Sequence, residues 1–338
     1  MAVIRTDLRD DSMKRIVQDI KSGQIGRLYL LYGEEAYLRR QYRDKLRAAL
    51  VPQEDAMNCS VYSGKDINTN EVVDLAGTMP FFAERRVIVV ENSGWFKSGN
   101  EQIAALVKTL PDTTCMIFVE EEVDKRGRLF KAVTANGYAA LCEMQDEVTL
   151  KKWVMGLLKK ENKSITSDAL NLLLDKTGTD MENIRREVEK LVCYKYYEEG
   201  ITAADVEELC IVQIQNQIFD MVEAVAQKKQ RQALKLYYNL LALKEAPLKI
   251  LSLIARQFNM LLLVKEMKSK GYHESEIAGQ TGLNRYYLEK KYIPQAAQFK
   301  LSQLEAALKT CVEAEENVKM GRMPDVLSVE LIIVSLSA

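Results

Sequence analysis

The sequence predicts an α/β domain built on a parallel sheet and followed by an all-α remainder, and three observations carry that prediction. Through about residue 145, short runs rich in β-branched and aromatic residues alternate with segments of helical periodicity, as strands linked by helical crossovers do. Beyond about residue 146 the strand signal stops. From there on, apolar residues recur at helical spacing between brief polar turns.

Strands are expected at 27–32, 59–62, 86–91, 114–120 and 138–143. Met13, Ile16, Val17 and Ile20 predict a helix over 9–22, and Leu38, Tyr42, Leu46 and Leu50 another over 37–50. Five strands with helical crossovers make a doubly wound sheet. Downstream, helices are expected at 149–162, 167–177, 180–198, 202–210, 217–227, 231–243, 247–270, 274–281, 284–298, 301–319 and 325–335. Gly178 suits a helix C-terminus and Thr202 an N-cap, so both mark breaks. Boundaries near 146 and 212 divide the chain into 1–145, 146–211 and 212–338, each of ordinary domain size.

The chain has 338 residues, 47% of them hydrophobic and 28% charged, which is enough for proper cores in two or three domains. Its 47 basic and 48 acidic side chains nearly cancel, which excludes a histone-like role and confines any nucleic-acid contact to a local patch. No uninterrupted apolar run spans a bilayer and the start has no signal-peptide character, so a cytoplasmic, membrane-free protein is expected. The six cysteines form no CxxC pair, so neither a metal site nor a disulfide framework is expected; most read as small buried residues. His273 is the only histidine, and its polar setting reads as a solvated loop.

Gly33 follows the first strand where a phosphate loop would lie, but GxxxxGK[ST] is missing and Glu34 and Glu35 would repel phosphates. Gly33 reads as a tight turn, and the two glutamates as partners of a positive helix N-terminus. Glu91 stands where an ATPase keeps a magnesium-binding acid and reads as a strand-end charge. No catalytic residue, cofactor or metal is expected.

The segment Met79-Pro80-Phe81-Phe82-Ala83-Glu84-Arg85-Arg86 is outside either periodicity. At least one phenylalanine should be exposed, as anchors for a partner's pocket are. The rival reading tucks both rings beside Val72, Val73 and Leu75. Arg85 and Arg86 would flank a contact with a partner protein or DNA, or cover sheet edges with their stems. A basic turn, Asp124-Lys125-Arg126-Gly127-Arg128 with Lys131, and lysine pairs farther along read as solvated faces unless several converge on a phosphate backbone. Residues 274–291 have the look of a helix-turn-helix with Gly282 in the turn, which would make a DNA-binding regulator, but Tyr286, Tyr287 and Leu288 occupy the start of the reading helix and favour a packing unit.

Three stretches together resemble the delta-subunit family of the bacterial DNA polymerase III clamp loader: Leu30-Leu31-Tyr32-Gly33-Glu34-Glu35-Ala36-Tyr37-Leu38, then Pro80-Phe81-Phe82-Ala83-Glu84-Arg85-Arg86-Val87, then Ile254-Ala255-Arg256-Gln257-Phe258 with Leu261-Leu262. Asn183, Glu187-Val188-Glu189-Lys190-Leu191, Ile218-Phe219-Asp220 and Lys319-Met320-Gly321-Arg322 extend the resemblance over essentially the whole chain. It implies an AAA+-like α/β domain (1–145) without a functional phosphate loop, a helical lid (146–211) and a helical collar for oligomerisation (212–338). It further implies a subunit without catalysis of its own, in a holoenzyme whose DNA polymerase activity belongs to the complex. The implied partners are the sliding clamp (beta subunit), ATPase subunits of gamma/tau type, a delta-prime-type subunit and, through the complex, primer-template DNA. Met79, Phe81 and Phe82 match the family's clamp-binding positions, with phenylalanine where leucine also occurs at the first of the pair.

Overall fold

The continuous apolar runs become the inside of a five-stranded sheet. The computed structural model describes residues 11–51, 56–210, 214–283 and 285–337. Residues 9 and 10 of the first expected helix, the boundary at 212 and the start of the helix expected at 284 lie outside these. Two compact units emerge by contact, one continuing through Lys160 and taking in Thr179–Arg186, the other comprising Glu161–Gly178 and the chain from Glu187 onward.

In the first unit the order is α1 (Asp11–Ser22), β1 (Leu28–Tyr32), α2 (Ala36–Leu50), β2 (Cys59–Ser63), α3 (Thr69–Ala76), β3 (Arg86–Glu91), α4 (Trp95–Ser98), α5 (Glu101–Leu106), β4 (Thr114–Glu120), α6 (Arg128–Asn136), β5 (Tyr138–Leu141) and α7 (Glu147–Lys160). The sheet runs β2-β3-β4-β1-β5, and every pairing is parallel. Because all strands point one way, the sheet has two chemically distinct ends, one of strand starts and one of strand finishes. β1 and β4 are buried along their full length, which explains why they read as unbroken apolar runs rather than alternating ones. β2 is an edge strand, half exposed throughout. On one face, Leu28, Leu30, Ile88, Val90, Met116 and Phe118 pack under Val72 of α3, Phe96 of α4, Ile103 of α5 and Val133 of α6.

The second unit carries β6 (Ser164–Ile165), α8 (Ser167–Thr177), β7 (Gly200–Ile201), α10 (Ala203–Leu209), α11 (Ile214–Ala226), α12 (Gln230–Ala242), α13 (Pro247–Ser269), α14 (Glu274–Thr281), α15 (Arg285–Tyr287), α16 (Ile293–Ala297), α17 (Leu301–Lys319) and α18 (Asp325–Leu336), and α9 (Met181–Tyr194) runs on into it. The expected loss of all strand structure after 146 is corrected here by β6 and β7, which pair in parallel over two residues each. Thr202 does cap α10, in a box with Asp205. By length and composition α13 could cross a membrane, contrary to the sequence reading. Instead its Ile250, Ile254, Phe258, Leu261 and Val264 are interior residues of a helical core shared with α11, α12, α17 and α18.

The segment read as a helix-turn-helix joins that core. Gly282 ends α14 in the left-handed region at φ 67°, as a turn there requires. The following helix is no straight reading helix: α15 passes into a π-helical turn, Leu288–Tyr292, before α16 resumes. Leu288 and Tyr292 are buried, and Arg285 is held by Glu289 at 2.5 Å, so the packing reading prevails.

Candidate functional site

The sequence points to two places in the first unit, and they fall at opposite ends of the parallel sheet. At the end where strands finish, β1 turns through Gly33 into α2. Gly33 has φ 126°, and a Cβ there would meet the Cys142 carbonyl oxygen at 2.4 Å, so the position requires glycine. Glu35 caps α2: its Oε1 accepts from the Tyr37 N–H at 2.9 Å. Rather than lying in solvent as a helix-end charge usually does, Glu35 is only 4% exposed, and its Oε2 has no hydrogen-bond partner. Burial, against the help of the Tyr37 amide, pushes its pKa up to about 7.

Four more charged residues fill the same end. Glu120, at the finish of β4, is buried, with Oε1 accepting from Ser93 N at 2.9 Å and Ser93 Oγ at 2.5 Å. Arg39 is buried among them, and its charge favours the ionised forms of both Glu35 and Glu120. Glu91 is bound by Arg43 at 2.5 Å, so the strand-end acid is engaged in an internal ion pair. Acids and arginines thus crowd the place where a nucleotide's phosphates would need free backbone amides and a free lysine.

At the end where strands start, α3 leads to β3 through 77–85. Met79, Phe81 and Phe82 are 75%, 56% and 95% exposed, so the reading in which the rings tuck beside Val72 and Leu75 is set aside. The two rings meet edge to face, 4.6 Å between centroids and 84° between planes, each shielding part of the other. Phe82 takes φ 50°, a left-handed backbone that a bulky residue adopts at a cost of roughly 1 to 2 kcal/mol.

What holds this loop is polar and comes from elsewhere in the chain. Asn58, fully buried just before β2, donates its Nδ2 to the Phe81 carbonyl at 2.8 Å and accepts the Phe81 N–H at 2.6 Å. A single side-chain amide thereby satisfies both backbone groups of the first ring's residue. Arg86 Nη2 donates to the Met79 carbonyl at 3.0 Å, and Arg85 Nη1 to the Ile25 carbonyl at 2.5 Å. Of the two arginines, read from sequence as flanking a contact or covering sheet edges, Arg86 is buried and Arg85 half-buried, each guanidinium donating to a backbone carbonyl. Asn58 went unrecognised, lying more than twenty residues upstream in a stretch with no distinctive pattern.

The remaining expected features are dispersed. In the basic turn, Asp124 takes the Arg126 side chain, Arg128 pairs with Glu101, and Lys125 lies 5.5 Å over the Tyr32 ring. His273 is exposed at the N-cap of α14. Cys115, Cys142, Cys210 and Cys311 are buried as expected, whereas Cys193 is exposed.

Similarity to known proteins extends over most of the chain. The profile of "DNA polymerase III, delta subunit" matches residues 29–143, and that of "DNA polymerase III delta subunit, C-terminal domain" matches 215–336. The DNA polymerase III subunit delta of Bacillus subtilis is 26% identical over 332 residues, 94% of this chain and 95% of its own length. A probable DNA polymerase III subunit delta of Aquifex aeolicus is 23% identical over 279 residues, 79% of this chain and 78% of its own. The solved DNA clamp loader delta protein of B. subtilis superposes with a TM-score of 0.77 at 24% identity, covering 96% of this chain and 99% of that one.

Proposed function

The chain belongs to the DNA polymerase III delta-subunit family, and on that premise we propose that it binds a sliding clamp through Met79, Phe81 and Phe82 and holds the ring open for loading onto primed DNA. The observation that carries this reading is the preformed, solvent-facing ring pair on its polar mount. Aromatic anchors that are rigid before binding lose little conformational freedom on docking, so more of the burial energy appears as affinity. Differential binding does the opening: the loop must fit an open or strained ring better than a closed one, since equal affinity for both would shift nothing. This chain contributes no chemistry. Energy for cycling comes from ATP on partner subunits of gamma/tau type, with a delta-prime-type subunit completing the loader, and the polymerase activity resides elsewhere in the holoenzyme.

The division of labour follows the expected pieces. Residues 1–145 carry the clamp contact, 146–211 act as the lid and 212–338 as the collar that joins the other subunits. The setting is the cytoplasm. A rival reading as a DNA-binding regulator through 274–291 finds no support in a segment whose helix is interrupted by a π turn and anchored by Leu288 and Tyr292.

The test is a titration of purified sliding clamp with the full chain and its Phe81→Ala/Phe82→Ala variant. Each ring is worth roughly 1.5 to 3 kcal/mol on burial, so affinity should fall at least about a hundredfold with the melting temperature unchanged. Clamp binding that survives the double substitution overturns the proposal.

A further inference from the structure

A second aromatic pair faces solvent in the other unit, and the function proposed above does not use it. Tyr196 and Tyr197, in the turn between α9 and β7, are 73% and 95% exposed, and their rings meet edge to face at 5.0 Å and 87°. Tyr194, at the end of α9, is half exposed beside them. The turn is firmly built. Lys163, just before β6, sends its Nζ to the carbonyls of Lys195 at 2.6 Å, Tyr196 at 3.0 Å and Glu198 at 2.6 Å. Pairing of Ser164 with Gly200 and Ile165 with Ile201 ties down the far side. One ammonium serving three carbonyls fixes the backbone that presents the rings, much as the Asn58 amide fixes Phe81.

Its surroundings specify what would fit. Lys195 is spent on Glu198 at 2.5 Å and Asp205 at 3.3 Å, and Tyr194 Oη lies 3.3 Å from Glu208. With exposed Glu199 added, four carboxylates outweigh the two ammonium groups of Lys163 and Lys195 among the residues that build and flank the turn. Tyrosines alone could stack on bases, but a net acidic collar repels a phosphate backbone. It complements a protein surface with an apolar cleft rimmed by lysine or arginine, and tyrosine is suited to such a cleft because its ring is buried while its hydroxyl stays paired.

We infer that the Tyr196–Tyr197 turn is a second docking tip, which enters a basic-rimmed apolar cleft on another protein subunit of the loader. The inference rests on the reading of this chain as a loader subunit. Its test uses the purified full chain alone, assembled with purified gamma/tau-type and delta-prime-type subunits, and mixed with a single-stranded oligonucleotide. Tetranitromethane nitration at Tyr196 and Tyr197, read by peptide mass spectrometry, reports whether the rings are covered. Assembly should lower nitration at both about tenfold or more, the oligonucleotide should leave it unchanged, and Tyr196→Ser/Tyr197→Ser should weaken assembly about tenfold while clamp titration and melting temperature stay as in the parent. Equal nitration in the free and assembled chain, protection by the oligonucleotide alone, failure of the parent chain to assemble, or full assembly of the double variant would each overturn it. Loss of clamp binding by the parent chain would instead strike the function proposed above, so the two failures are separate.

Discussion

The two ends of one parallel sheet invert the usual partition of residues. Where the strands start, Met79, Phe81 and Phe82 are apolar and outside; where they finish, Glu35, Arg39 and Glu120 are charged and inside. Both arrangements cost free energy, the first as exposed hydrocarbon and the second as desolvated charge. The difference lies in how each is resolved. At the charged end Ser93 donates to Glu120 and Arg43 pairs with Glu91, while the buried Oε2 of Glu35 is left without a partner. The aromatic end is satisfied only along its backbone, so its side chains are left to be covered by something else.

The largest effect should come from disturbing the charged end. Gly33→Ala places a Cβ 2.4 Å from the Cys142 carbonyl oxygen on a backbone with φ 126°. Strain and overpacking together should lower stability by roughly 3 to 5 kcal/mol, read as a fall in the urea midpoint. A near-neutral result would mean that the β1 to α2 turn can shift to make room for the added carbon.

Glu35 gives the next largest. Folding raises its pKa from 4.5 to about 7, so the folded state favours the protonated acid, and the stability tied to this group is complete below about pH 4.5 and lost as pH climbs through 7. The loss is on the order of 3 kcal/mol. Glu35→Gln, which keeps an oxygen for the Tyr37 amide and cannot ionise, should flatten the dependence of melting temperature on pH between 5 and 8; an unchanged slope would place the carboxylate in solvent.

The smallest effect probes the open end. Glycine tolerates the φ of 50° at position 82 and alanine does not, so Phe82→Gly should be more stable than Phe82→Ala by about 1 kcal/mol in thermal unfolding. Both should bind the clamp equally poorly. If alanine proves the more stable, Phe82 does not hold a strained backbone in solution.

Much of this comparison was legible from residues alone. Short unbroken runs of β-branched residues such as Val87-Ile88-Val89-Val90 read as a strand covered on both faces, and a Phe-Phe pair between proline and arginines fits neither helix nor strand. Direction was not legible. Nothing local says that Arg86 turns inward to a carbonyl seven residues behind it, or that Asn58 reaches across to Phe81, because those partners meet only once β2 lies against β3. The same holds for Glu35, whose place at a helix start was clear and whose burial was not. Two-residue strands and a single π turn are too short to leave a periodic trace, so β6, β7 and Leu288–Tyr292 emerged only from the fold.

Asn58 and Arg86 also decide where a pull on the rings would go. Asn58 sits at the head of β2 and Arg86 opens β3, so tension at Phe81 is shared between an edge strand and its inner neighbour, whose ladder from Cys59–Val87 to Ser63–Glu91 would be loaded in shear. A side chain mounted this way hands displacement to two paired strands rather than to its own loop alone.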